Sequence, residues 1–189
     1  MDHIVIISSS VRIGRKSHRV ALYLKNFIEM HQLATAEILD LNEYNFPVFN
    51  ERLKFQSKPS EQTLEFAAKF AGADGLIIVT PEYNGGYPAS LKNIIDLFND
   101  EWYHKPVAIS TVSGGPFGGT QVITSLQFSL WKLKACIATA MFPVPNVDKS
   151  FGENAIPIEK EATDKRAKTF IGELLWMIRA SKHTNSPPS

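Results

Sequence analysis

Short apolar runs alternate along this chain with longer amphipathic stretches, and this alternation restricts the fold more than any other feature. The apolar runs that we assign to strands 1 to 5 are residues 3–8, 35–39, 75–80, 106–112 and 135–140. Hydrophobic residues at helical spacing lie between and after them, and predict helices over residues 17–30, 60–71, 89–99, 118–133 and 159–180. Strands that alternate with helices form βαβ units, so the sequence predicts a parallel sheet covered on both faces.

Five such strands in 189 residues favour an α/β fold of the flavodoxin-like type, a three-layer sandwich with strand order 2-1-3-4-5. We expect one domain over residues 1–180 and a frayed tail over residues 181–189, which contain Pro187 and Pro188. Ligands of such sheets bind at the carboxyl ends of the strands, beside the point where the strand order reverses. The chemistry should therefore lie in the loops after strands 1, 3 and 4.

Composition argues against several other classes of protein. The 20 Lys and Arg residues nearly balance 19 Asp and Glu residues, whereas nucleic-acid binders are usually more basic. No apolar run is long enough to cross a bilayer, so no membrane partner is expected. The histidines show no metal-ligand spacing, and no metal is predicted. Cys136, the single cysteine, is predicted to lie in the core, and one thiol suits a reducing compartment such as the cytoplasm.

The loop after strand 1 combines hydroxyls with positive charge. Ser9, Ser10 and Ser17 can donate to phosphate oxygens, and Arg12 can neutralise the phosphate charge. Residues 3–28 hold five Lys or Arg and no acidic residue. A helix that begins at this point adds free backbone N–H groups and its dipole. The segment predicts an anion site, the alternative being a solvated basic helix start capped by serines.

The loops after strands 3 and 4 are rich in glycine. Asn84 and Gly85 permit positive φ and a close approach of backbone to ligand, and Tyr83 and Tyr87 offer flat surfaces. Four glycines within residues 114–119 leave backbone N–H groups exposed. Together the loops predict a clamp for a planar ring, the alternatives being an ordinary turn and a flexible linker.

The segment from Thr80, Thr-Pro-Glu-Tyr-Asn-Gly, followed by Leu91-Lys92-Asn93, resembles the signature of the NAD(P)H-dependent FMN reductases. This flavodoxin-like family includes quinone, azo-dye and chromate reductases, and the resemblance covers about residues 3–145. The family's first-loop glycine is replaced here by serine. The resemblance implies FMN contacts in the first loop at Ser9, Ser10, Arg12, Arg15, Ser17 and His18, in the next at Pro81, Glu82, Tyr83, Asn84 and Gly85, and in the last at Ser113, Gly114 and Gly115.

No nucleophile–base pair or carboxylate pair is evident, so no catalytic residue is assigned and the redox chemistry would belong to the cofactor. The resemblance implies that NADPH or NADH reduces a non-covalently bound FMN, from which a small acceptor takes two electrons. It also implies a homodimer or homotetramer. Three alternatives remain at this point: a flavodoxin-like electron carrier, an FMN-binding redox sensor without turnover, and a nucleoside-processing enzyme. Residues 97–103 are predicted either as a subunit contact or as core.

Overall fold

A five-stranded sheet organises residues 1–183, the part of the chain that the computed structural model describes. All of its strand pairings are parallel, and the order is β2-β1-β3-β4-β5. The predicted sheet and its order are therefore confirmed. The strands are β1 (His3–Ser8), β2 (Thr35–Asp40), β3 (Gly75–Pro81), β4 (Pro106–Val112) and β5 (Cys136–Val144).

Helices cover both faces of the sheet and complete the predicted three-layer sandwich. The helices are α1 (Ser17–Met30), α2 (Leu41–Tyr44), α3 (Glu61–Gly72), α4 (Ala89–Leu97), α5 (Gln121–Lys132), α6 (Val147–Ser150) and α7 (Lys160–His183). Helices α1 and α7 pack on one face, and α3, α4 and α5 pack on the other. Helix α3 begins where the sequence predicts, because the Ser60 hydroxyl caps it by accepting from the Thr63 N–H at 3.1 Å.

The core has two halves, separated by the sheet. Strands β3 and β4 are buried over their whole length, as expected for strands covered on both faces. Along β1, Ile4 and Ile6 face α1 and α7, whereas Val5 and Ile7 face the opposite layer. Because successive side chains of a strand point to opposite faces of the sheet, one continuous apolar run contributes side chains to both halves of the core.

The aromatic segment after α4 belongs mostly to this core. Phe98 and Trp102 are fully buried, and the Trp102 ring meets that of Phe70 edge to face at 4.6 Å. Leu97 is also buried, whereas Tyr103 is exposed. The core alternative therefore holds for Leu97, Phe98 and Trp102 but not for Tyr103.

Several boundaries differ from the predicted ones. Strand β5 runs four residues beyond the predicted end, to Val144. Between β2 and α3, where the sequence predicts no helix, the chain forms α2 and a 3-10 helix, Leu53–Phe55. Helix α7 includes residues 181–183 of the predicted tail, and residues 184–189 lie outside the described part of the chain.

The prediction that Cys136 lies in the core is wrong. Cys136 is exposed because it is the first residue of β5, an edge strand with a neighbour on one side only. Its thiol is still partly desolvated, which raises its pKa.

Within residues 1–183, no helix is both long and apolar enough to cross a membrane.

Candidate functional site

The loops after β1, β3 and β4 converge at the carboxyl edge of the sheet. The strand register brings their starting points together, since Ser8 pairs with Val79 and Pro81 pairs with Val112. A cavity of about 230 Å³ lies between the loops. Eight of the predicted site residues line it: Arg12, Arg15, Ser17, Pro81, Glu82, Tyr83, Ser113 and Gly114.

The amino terminus of α1 faces this cavity without a side-chain cap. Lys16 occupies the N-cap position and makes no capping hydrogen bond, and the first turn holds no acidic residue. The hydroxyls of Ser9 and Ser17 are buried and find no hydrogen-bond partner within residues 1–183. Serine capping of a solvated helix start therefore does not describe this segment. Unpaired hydroxyls, free N–H groups and the helix dipole together fit an anion with several acceptor oxygens, such as a phosphate.

The two arginines of the loop differ in what they bind. Within the described residues the exposed Arg12 side chain has no hydrogen-bond or ion-pair partner, so it is free to meet a ligand. The Arg15 guanidinium makes a two-pronged ion pair with the Asp40 carboxylate and donates to the Ser10 carbonyl at 2.9 Å. Arg15 is thus already held by the protein, although it also lines the cavity.

His18 lies behind the loop and does not line the cavity. Its Nδ1 is 3.0 Å from the Ser8 hydroxyl and 3.5 Å from the Asp40 carboxylate. Burial lowers the pKa of His18 below its ordinary value of 6.5, while the negative charge of Asp40 opposes that shift. The imidazole is therefore neutral at pH 7 and adds no positive charge to the phosphate end of the site.

The loop after β3 is a tight hairpin turn. Tyr83 and Gly86 exchange two backbone hydrogen bonds of 2.8 and 3.1 Å. Asn84 and Gly85 between them have φ of 53° and 79°, the positive values that a type I′ turn requires. Their own N–H groups have no acceptor within residues 1–183, and both residues are exposed at the tip. The turn thus presents two backbone donors to a ligand.

The two tyrosines of this loop are held by different neighbours. The Tyr83 hydroxyl is 2.7 Å from the Ser10 hydroxyl, which joins this loop to the loop after β1. The Tyr87 hydroxyl is 2.8 Å from that of Ser129 on α5, and its ring packs against the core. Tyr87 is therefore held against α5, whereas Tyr83 connects two loops of the site.

The glycines of the loop after β4 serve two purposes. Gly114 and Gly115 are exposed, and a Cβ at either position would meet nothing within 4 Å. Gly118 and Gly119 are buried at positive φ, and a Cβ on Gly119 would lie 3.4 Å from that of Glu82. The first pair leaves room for a ligand, and the second pair lets adjacent loops pack closely.

One expected donor of this loop is used internally. The Ser113 N–H donates to the Val144 carbonyl at 3.0 Å, so it does not face a ligand. The N–H groups of Gly114 and Gly115 have no acceptor in residues 1–183 and remain free to do so.

Sequence reasoning missed one wall of the cavity. Val147 and Asp148 of α6 line it, and Asp148 pairs with Lys16 and lies 3.6 Å from Arg19. No local signal marks this contact, because more than a hundred residues separate Asp148 from its partners. The basic helix start is therefore partly neutralised by an acid from the far end of the chain.

Comparison with known proteins identifies the family of the chain. The family model of the NADPH-dependent FMN reductases matches residues 3–149. An NAD(P)H-dependent FMN reductase of Schizosaccharomyces pombe is 34% identical over 142 residues, which cover 73% of this chain and 70% of the relative. An NADPH azoreductase of a Bacillus species is 29% identical over 163 residues, covering 82% and 85%.

The fold is also shared with solved structures. The flavoenzyme NAD(P)H:(acceptor) oxidoreductase FerB of Paracoccus denitrificans superposes with a TM-score of 0.76, at 18% identity, over 95% of this chain and 98% of its own. The fold and the family model together define a flavodoxin-like flavin reductase. The chain belongs to the NADPH-dependent FMN reductase family, as its loop motifs predicted. The protein is accordingly an enzyme of the oxidoreductase class, with FMN as cofactor and NAD(P)H as reductant.

Proposed function

We propose that the protein holds FMN across the three loops and passes two electrons from NAD(P)H to a small acceptor. The uncapped start of α1 carries the proposal, because Ser9 and Ser17 leave buried hydroxyls without partners beside the unpaired Arg12. A phosphate there would accept from both hydroxyls and from the helix N–H groups, and Arg12 would neutralise its charge. The same group would remove the energetic cost of two buried, unpaired donors.

The other two loops fit the flavin ring. The free N–H groups of Asn84 and Gly85 would contact one edge of the ring. Those of Gly114 and Gly115 would face its pyrimidine side, where donors stabilise negative charge. FMN, when bound, supplies reversible two-electron chemistry. The chain's own residues then bind and orient the ring, and none of them needs to act as a nucleophile or a base.

We propose a quinone, azo compound, flavin or metal oxyanion as the acceptor. Relatives named azoreductase and quinone reductase support this range; a quinone reductase of Pseudomonas putida is 31% identical over 122 residues, covering 61% of this chain and 62% of that relative. NAD(P)H and the acceptor would bind in turn at the same site, which predicts ping-pong kinetics. We also propose a cytoplasmic location, on the ground of the single free thiol.

A spectroscopic experiment tests the proposal. The protein is incubated with FMN, desalted, and mixed anaerobically with NADPH while the flavin absorbance is followed. A retained spectrum that bleaches, with steady NADPH oxidation once menadione is added, supports the reductase. Retained flavin that does not bleach would instead indicate an electron carrier or a sensor. Loss of all flavin on desalting, with no saturable binding by titration, would contradict the assignment of the loops.

We further propose that two copies of the chain associate beside the site. The cavity of about 230 Å³ is small for a cofactor pocket, since such pockets usually enclose about 300–1,000 Å³. A larger groove of about 550 Å³ is lined by Val11, the residue before Arg12, and it exposes the apolar side chains of Val11 and Val48. A second copy that covered these two side chains would remove apolar surface from water beside the loop after β1.

The oligomeric state tests this second proposal. Sedimentation velocity should give twice the chain mass of 21.1 kDa, and Val48→Asp should give the monomer with weaker retention of FMN. Phe128→Asp is the matched control, because Phe128 is an exposed apolar residue on α5, away from the groove. A monomeric wild type, or equal dissociation by both variants, would contradict the use of this groove.

A further inference from the structure

A buried carboxylate lies behind the loop that follows β1. Asp40 is the last residue of β2, and its side chain is only 3% exposed. Both of its oxygens accept from the Arg15 guanidinium, and Oδ1 also accepts from the Asn42 N–H at 3.0 Å. Asp40 does not line the cavity. A carboxylate buried and paired in this way is fixed in position, because separating it from its partner would leave a charge unpaired in the interior.

Arg15 connects Asp40 to the loop after β1 and, through Ser10, to the loop after β3. It donates to the Ser10 carbonyl at 2.9 Å, and the Ser10 hydroxyl is 2.7 Å from the Tyr83 hydroxyl. A continuous chain of polar contacts thus runs from the end of β2, through the loop after β1, to the loop after β3. The segment 11–14 has little else to hold it, since its backbone N–H and C=O groups make one backbone–backbone hydrogen bond, from Arg15 N to Arg12 O.

We propose that Asp40 is a positioning residue for FMN: it touches no part of the cofactor, and it orders the phosphate loop through Arg15. This inference rests on the proposed FMN site. A loop ordered before binding costs less conformational entropy when the ligand arrives, and its donors already point at the phosphate. The Arg15–Asp40 pair also leaves Arg12 as the loop's unpaired arginine, so the two arginines have separate tasks.

The negative charge of Asp40, taken by itself, predicts the opposite effect on FMN affinity, so one substitution distinguishes the two explanations. Asp40 is an anion close to a phosphate site, so neutralising it should tighten FMN binding if only its field mattered. Positioning predicts weaker binding. Asp40→Asn keeps the size of the side chain and the oxygen that accepts from the Asn42 N–H, but it loses the two-pronged pairing with Arg15.

Asp74→Asn is the matched control. It makes the same change of charge at a partly buried carboxylate, which pairs with Lys182 at 2.8 Å and accepts from the His3 N–H at 2.8 Å. Asp74 immediately precedes β3, at the edge of the sheet opposite the three loops, and it does not line the cavity. We expect unchanged FMN binding in this control.

The experiment titrates apoprotein with FMN and with riboflavin and follows flavin fluorescence. We expect Asp40→Asn to raise the Kd for FMN at least tenfold and to reduce the preference for FMN over riboflavin, which lacks the phosphate. A general loss of structure would weaken both ligands alike. Arg15→Lys keeps the positive charge but not the forked geometry, and it should show the same loss. The double variant Asp40→Asn with Arg15→Lys should bind no more weakly than the worse single variant, because the two residues act as one unit.

The outcomes separate this inference from the proposal on which it rests. A wild-type protein that does not bind FMN contradicts the proposed function. A wild type that binds, with Asp40→Asn and Arg15→Lys binding equally well or better, overturns the positioning role. If Asp40→Asn fails to fold by circular dichroism, Asp40→Glu takes its place: it keeps the charge but displaces the carboxylate from Arg15, so the same loss of FMN affinity is expected and unchanged affinity would overturn the positioning role.

Discussion

Ser17→Ala should make the apoprotein more stable and at the same time weaken FMN binding. Ser17 is 3% exposed, and its hydroxyl has no partner within residues 1–183 although it stands at the uncapped start of α1. A buried hydroxyl without a partner is unfavourable in the empty protein, and it becomes favourable only when a ligand accepts from it. One substitution therefore acts with opposite signs on stability and on affinity.

The magnitudes follow from the two environments. An unpaired buried donor costs about 1–3 kcal/mol, and the small void left by the missing oxygen offsets part of that gain. A net gain of about 1 kcal/mol would raise the Tm of a chain of this size by about 2–4 °C. The lost hydrogen bond to a charged phosphate is worth about 1.5–3 kcal/mol. At about 1.4 kcal/mol per factor of ten, the Kd for FMN should rise by about tenfold to a hundredfold.

The assay is differential scanning calorimetry of the apoprotein, combined with FMN titration of the same samples. Ser110→Ala is the matched control, because the Ser110 hydroxyl is equally buried but donates to the Phe142 carbonyl at 2.9 Å. The control should lower the Tm and leave the Kd nearly unchanged. A Ser17→Ala protein that is less stable than the wild type and binds FMN equally well would refute the reasoning.

Three further predictions concern single side chains. Arg12→Ala should raise the Kd for FMN at least tenfold without lowering the apoprotein Tm, because Arg12 has no partner in the described residues; unchanged affinity by titration would contradict its role. The pKa of His18 in the folded state is below 6.5, so between these two pKa values the unfolded state binds more protons than the folded state. The free energy of unfolding should therefore fall as the pH drops from 6.5 toward the folded-state pKa of His18. His18→Asn should flatten this part of the curve in urea unfolding between pH 5 and 7.5, and an unaltered slope would show that His18 is not responsible. Gly75→Ala should destabilise the protein by about 1–3 kcal/mol in the same assay, because its Cβ would lie 2.6 Å from Cδ1 of Ile178; equal stability would mean that α7 shifts without cost.

The prediction of the fold from sequence succeeded where the signal is local. Strands β3 and β4 are short apolar runs, and their burial on two faces needs no polar alternation, so the pattern is visible without knowing the partners. The Asn84-Gly85 pair likewise predicts its own turn, because few other residues adopt two successive positive φ values. The predicted boundaries were wrong at β5 and α7, which both continue beyond the end of their predicted pattern.

The prediction failed where one segment must be matched with a distant one. Cys136 looks like a core residue within its strand, and only the strand order shows that this strand is at the edge. Ser113 lines the cavity as a predicted site residue, but only the structure shows that its N–H donates to the Val144 carbonyl. In both cases the environment of the residue depends on a strand from another part of the chain, which the local sequence does not reveal.

By itself the sequence determined the class of fold, the three loops that meet at one edge of the sheet and the family to which the chain belongs. These depend on hydrophobic period, turn chemistry and contiguous motifs, all of which act over a few residues. Only the tertiary structure decided which groups of those loops are free to meet a ligand. Both Arg12 and Arg15 are arginines of the same loop, yet Asp40 pairs with Arg15 and leaves the Arg12 side chain unpaired within the described residues. The physical reason is that pairing of buried charges and hydroxyls is settled by distance in space, which parallel strands arrange between residues far apart in the chain.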